Sequence, residues 1–313
     1  MANFKIVQNV RSHIMKKTVL FIYFLITIVT INGVEVTKVE IPKIDTLLLE
    51  PVGHIDFKDI DESSALVKSR QYENVYWTLN DSGNDERIFV IDKFGKTFIP
   101  YWAENYRGIE IGEATNVDWE DIAVDDNGNL IIGAFGNNYS LRKDLALYIL
   151  KEPYYPGITK TRAFQRIDFA FPDQTTWPDT LKRFDCEAVF TKLNNIYILT
   201  KHRKDPYTHL YRFDTMYIDK INIPKLIGIF EINGEVTAAD CSLDGNKLAV
   251  LTYNNIWCFE VEEGDDFFNG KISYLPIKAK QCEGITFDED TLILTNEQRD
   301  VFHIKIDQLI KIK

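Results

Sequence analysis

Five acidic residues each open a short apolar run in this chain: Glu62, Glu120, Glu187, Asp240 and Glu283. After each run comes a turn, then a second apolar run that ends in polar residues. Those ends are Asn80-Asp81, Asn137-Asn138, Lys201-His202, Tyr253-Asn254 and the stretch from Glu297 to Arg299. Carboxylates gathered around one axis raise one another's pKa, so they require protons, paired cations or a metal ion. Oxygen donors in a flexible ring suit Ca²⁺, which takes about 6–8 oxygens; Mg²⁺ also fits if waters complete its shell. No His-x-x-x-His pattern and no paired cysteines occur, which speaks against zinc. The expected metal ligands are Glu62, Glu120, Glu187, Asp240 and Glu283. Asn80, Asp81, Asn137, Asn138, Lys201, Tyr253, Glu297 and Arg299 are expected to touch a ligand. Lys201 and Arg299 would hold an anion, and Glu187 and Glu283 are the candidates for activating water. A structural role competes with this chemistry. An acid at a strand start can accept backbone N–H groups from a neighbouring unit, and Lys201 can simply neutralise Glu187. Neither a Gly-x-Ser-x-Gly elbow nor a P-loop is present.

These residues need a scaffold that brings five distant segments together. Each acid opens a unit of acid, strand, turn and second strand, followed by a third strand such as residues 87–92 or 256–261 and, in four units, a fourth. Four antiparallel strands per repeat is the mark of a propeller blade. The acid-to-acid spacings are 58, 67, 53 and 43 residues, against roughly 40–50 for a blade. The two long spacings are assigned to insertions at 101–118 and 172–185. The fifth unit ends after its third strand, and residues 54–58 are expected to supply the missing outer strand and close the ring. The expected fold is an all-β, five-bladed propeller over residues 47–313, with six blades as the alternative.

The 313 residues carry a net charge of -11, with 45% apolar and 27% charged residues. That composition is globular, and the acidic field disfavours nucleic acid as a partner. Lys16-Lys17 precede an apolar run from Thr18 to Ile31, the pattern of a secretory signal. Residues 1–33 are read as this signal and 34–46 as a linker. The expected location is secreted or periplasmic, without a stable membrane span, since a spanning helix needs about 20 apolar residues; an uncleaved anchor is the alternative. Cys186, Cys241, Cys258 and Cys282 are expected to be free thiols, because three of them fall on inner strands of different blades.

Glu62-Ser63-Ser64-Ala65, Thr78 to Gly83, Asp118-Trp119-Glu120-Asp121-Ile122-Ala123, Gly136-Asn137-Asn138, Asp185-Cys186-Glu187-Ala188 and Cys282-Glu283-Gly284-Ile285 resemble a group of exported bacterial propeller proteins with no assigned activity. The likeness covers nearly the whole mature chain and implies fold and export, not a reaction. More loosely, Glu120 to Val124 and Glu283 to Phe287 resemble two inner-strand motifs of the calcium-activated apyrases, five-bladed propellers that hydrolyse nucleotides around a central calcium. Asp240 departs from the fourth repeat of that family.

Three functions follow. The first is a binding protein or scaffold, expected as a monomer, that takes an anionic small molecule, a glycan or a protein at the channel mouth beside a Ca²⁺-type ion. The second is a metal-dependent phosphoester or nucleotide hydrolase. The third is a glycoside-acting enzyme, for which Trp102 and Trp177 would line a groove.

Overall fold

The computed structural model describes residues 30, 31 and 33–313. The expected signal therefore lies almost wholly outside the described residues. The described residues form five sheets, antiparallel within each blade and extended by parallel strands at some outer edges, each with a buried inner strand: Val67–Lys68, Asp121–Val124, Asp185–Lys192, Val236–Cys241 and Cys282–Asp288. This is a five-bladed β-propeller. Its helical content among the described residues is two short 3₁₀ turns, and none of these is long and apolar enough to cross a membrane.

Continuous apolar runs form these strands because both faces of every blade are covered. Side chains alternate across a strand, so neighbours in sequence serve different interfaces. On the second strand of blade two, Leu130 and Ile132 pack toward blade one while Ile131 packs toward blade three. Five apolar clusters result, one per blade-to-blade interface. The largest fully buried side chains, Trp77, Trp119 and Trp257, lie in these seams.

Ring closure occurs where the sequence places it, on a shorter segment. Gly53–His54 pairs with Asp300–Lys305 as the outer strand of blade five. Val52 and Ile55 extend the pairing by one hydrogen bond each, to Val301 and Arg299. Residues 56–58 peel away because Asp56 binds the Gly95 carbonyl and the Thr97 amide of blade one. The insertion at 101–118 contains the outer strand of blade one, Ile109–Gly112, whose free edge is covered by Lys160–Arg162.

Residues 34–46, expected as a linker, begin with a strand. Val34–Thr37 pairs in parallel with the outer strand of blade three, Lys225–Glu231. Leu47–Leu48 then joins the outer strand of blade four, Lys271–Lys278, which also receives Ile310–Lys311 near the C-terminus.

Inner strands run from one mouth of the channel, which holds most of the acids, to the opposite mouth. Second strands return to the acid mouth, so the polar residues at their ends face the strand-start acids.

Candidate functional site

A repeated one-residue slip positions the acids. The pairing register of the inner strand shifts at Glu187 in blade three and at Glu283 in blade five. Such a bulge takes its extra residue out of the ladder and re-aims it, and both carboxylates join a polar cluster at the mouth. In blade four the same slip falls at Thr237, whose hydroxyl donates to the Cys282 carbonyl at 2.9 Å. Asp240 lies three residues further along. It is not the counterpart of Glu187 and Glu283, and the expected ring of five acids is a set of four: Glu62, Glu120, Glu187 and Glu283. The Asp240 carboxylate accepts the amides of Cys241 and Phe287 and the Thr286 hydroxyl at 2.8–2.9 Å. It fastens blade four to blade five. Asp121 does the same between blades two and three, accepting the Ile122 and Val189 amides at 2.8 and 2.9 Å. The structural role weighed for strand-start acids thus belongs to Asp240 and Asp121.

Lys201 stands at the centre of the mouth, 2% exposed. Its Nζ is 3.2 Å from Glu187 Oε1 and donates to the Tyr253 hydroxyl at 2.9 Å; that hydroxyl donates to Glu283 Oε1 at 3.3 Å. Burial works against the Lys201 charge, yet Glu187 and the Tyr253 oxygen outweigh it and hold the pKa above its ordinary value. Arg203 reaches in from the rim, with Nη2 2.7 Å from Asp185 and 3.6 Å from Glu187. Burial pushes both Glu120 and Glu187 well above the carboxylate range; the Glu187 charge raises Glu120 further, while a hydrogen bond from Glu120 pulls Glu187 back. Glu120 also faces Asp81 and Asp118, while Glu187 lies between Lys201 and Arg203.

On the blade-one and blade-two side, Asp81, Asp118 and Glu120 each bring one carboxylate oxygen within 4.8 Å of the other two. The nearest cation is Arg142, 3.9 Å from Asp118 and also bonded to Asp144 and the Gly136 carbonyl. Burial, then Asp81, pushes Asp118 up to about 6. The trio packs against bare backbone. A Cβ on Gly136 would stand 1.9 Å from Glu120 Oε1 and 2.6 Å from Asp118 Oδ2, so only glycine leaves the carboxylates their space.

The remaining candidates divide. Glu297 is at the mouth, bonded to Gln281 and raised to about 7 by burial and by Glu283 and Glu62. Glu62 is half-buried and raised by burial and Asp81. Asn80 donates to the Asp59 carbonyl at 2.8 Å, and its buried Oδ1 has no partner. Asn137 is committed to its loop: its Oδ1 accepts the Leu141 and Arg142 amides, and its own amide binds Asp185 at 2.7 Å. Asn138 is exposed and accepts from Arg203. Arg299 occupies a turn at φ 68° and makes no ion pair among the described residues; its backbone, not its side chain, serves the ring closure. The two insertion tryptophans lie on opposite faces. Trp177 precedes the inner strand of blade three, at the acid mouth, while Trp102 follows the third strand of blade one and binds the Pro156 carbonyl at 2.9 Å. Asp118, Asp185 and Gln281 were missed as site residues. The signal for them is a repeated i, i+2 pattern: Asp118 before Glu120, Asp185 before Glu187 and Gln281 before Glu283.

No family model matches this chain, and no curated protein matches its sequence. Among solved structures it is similar to a chain of the mitotic checkpoint complex, at 12% identity and a TM-score of 0.39, over 78% of this chain and 64% of that one. It is also similar to the major Malassezia sympodialis allergen Mala s 1, at 12% identity and a TM-score of 0.49, over 83% of this chain and 95% of that one. Neither likeness bears on chemistry.

Proposed function

We propose that this protein is an exported propeller that binds an anionic ligand or a protein partner at its acid-lined mouth, with a hard divalent cation of the calcium class held by Asp81, Asp118 and Glu120. The observation that carries this reading is the convergence of those three carboxylates within 4.8 Å. Eight acids surround the mouth: Glu62, Asp81, Asp118, Glu120, Asp185, Glu187, Glu283 and Glu297. Three basic side chains oppose them, and Lys201 and Arg203 are engaged by Glu187 and Asp185 on the far side. Burial and the neighbouring carboxylates raise Asp118 and Glu120 and so favour their protonated forms. An oxygen-seeking cation would replace those protons and leave coordination positions facing the channel. The rim suits a ligand: Arg203 is a quarter exposed beside the acids, and Tyr139 and Trp177 stand exposed at the same mouth. The sequence likeness to exported propellers and to apyrases with a central calcium supports export and an ion at the axis.

Calcium titration of chelated protein tests this. At pH 7.5 the melting temperature should rise with millimolar calcium, because a ligand bound only by the native state stabilises it by about 2.7 kcal/mol at a hundredfold excess over Kd. Binding should release protons and weaken as pH falls through the Asp118 value of about 6. The rise should vanish in Asp118→Asn. An unchanged melting temperature in wild type with calcium, magnesium or manganese would end the ion-binding part of the proposal.

A further inference from the structure

The end of the channel opposite the acids opens into a second cavity of about 640 Å³, within the roughly 300–1,000 Å³ of small-molecule sites. Its walls come from the far ends of the inner strands of blades one, two, four and five. Val67, Val124, Phe287 and Ile306 give it an apolar lining, and Lys68, Arg70, Lys247, Asp240, Asp244 and Glu289 supply its charges.

Equal numbers of charges conceal an imbalance in hydrogen bonding. The acceptors inside are already used. Asp240 takes three donors from blades four and five, and Asp244 takes the Ser242 hydroxyl and the Asn246 amide. The Ser69 hydroxyl accepts the Gln71 and Tyr72 amides, and Thr286 accepts the Lys68 amide. Glu289 is exposed at the rim. The donors are less committed. Arg70 uses Nη1 alone, toward Asp126, which leaves Nε and Nη2. Lys247 is half-buried, and its Nζ makes no ion pair or hydrogen bond among the described residues. Lys68 spends one bond on Asp288. A half-buried guanidinium and ammonium with spare N–H groups over an apolar floor match an acceptor-rich head on a hydrophobic body.

We propose that this cavity binds a small amphiphilic carboxylate, its head held by Arg70 and Lys247 and its apolar body laid against Val67, Val124 and Phe287. The site is independent of the acid mouth. Octanoate is a suitable probe, titrated calorimetrically into full-length protein beside octylammonium and octanamide. Octanoate should bind at least about tenfold more tightly than octylammonium, and the double variant Arg70→Gln/Lys247→Gln should lose about tenfold or more, the size of one charge-assisted hydrogen bond. If the double variant does not fold, Lys247→Gln alone decides, with a several-fold weakening expected. Asp118→Asn, at the opposite mouth, should leave octanoate binding unchanged. Failure of octanoate to bind, equal binding of octylammonium, or undiminished binding in the lysine variant would each overturn the proposal.

Discussion

Replacing Lys201 by methionine isolates the electrostatics of the acid mouth. The two side chains are close in length, so packing is largely kept while the ammonium disappears. In the wild type that ammonium lies 3.2 Å from Glu187, and both side chains are almost fully buried, at 3% and 6% exposure. Removing one partner of a buried pair leaves the other uncompensated, at a cost of about 3–5 kcal/mol. Arg203, 3.6 Å from Glu187 and a quarter exposed, offsets part of this, so the lower end applies, about 3 kcal/mol at pH 8. The cost depends on pH. Without Lys201 the folded-state pKa of Glu187 rises further above its unfolded value. A carboxyl raised in this way destabilises the native state above the unfolded pKa, increasingly until the folded pKa is passed. At pH 5 Glu187 can take up a proton on folding at little cost, so the penalty there should be less than half of that at pH 8. Urea denaturation of wild type and Lys201→Met at both pH values, with the slope m checked for constancy, measures the difference. A loss under about 1 kcal/mol at both pH values, typical of a surface pair, or a larger loss at pH 5, would refute the reading of Lys201 and Glu187 as a buried ion pair.

Three further outcomes are expected. Gly136→Ala places a methyl at 1.9 Å from Glu120 Oε1; it should cost about 1–3 kcal/mol, the usual range for overpacking, and abolish any calcium-dependent rise in melting temperature. Asp240→Asn turns an amide toward the Phe287 N–H and Thr286 hydroxyl; it should cost about 1–3 kcal/mol at pH 7 in chemical denaturation and leave calcium binding intact. All four cysteines are buried and free, and burial pushes Cys258 up to about 11 and Cys282 up to about 12; a thiol reagent should therefore label the native protein slowly and all four sites rapidly in denaturant.

The architecture was readable because a propeller writes itself into its sequence five times. Turn residues such as Asp126-Asn127-Gly128 and Asp244-Gly245 mark each hairpin, and the strands are apolar on both faces. Closure was readable from arithmetic, since blade five lacks an outer strand. The finer points were not, for specific reasons. Aligning repeats by residue type placed Asp240 with the other acids, whereas the bulge at Thr237 fixes the true register, and a one-residue slip in pairing carries no compositional mark. Edge strands such as Val34–Thr37 and Leu47–Leu48 are too short to show a period. Arg203 follows a strand end in a polar stretch with no mark of a site, because what recruits it is Asp185, 18 positions earlier in the chain. Which mouth an insertion tops depends on how many strands precede it in the blade, and this separates Trp102 from Trp177.

The N-terminal stretch contacts the outer edges of blades three, four and five before it enters blade one. A chain synthesised from its N-terminus therefore produces its clasp first and can fasten it only after the last blade exists. Until residues 300–305 are available, Gly53 and His54 have nothing to pair with, and the seam between the first and fifth blades stays open. Assembly of the ring must wait for blade five, so truncation before residue 300 should abolish the closed ring rather than trim it.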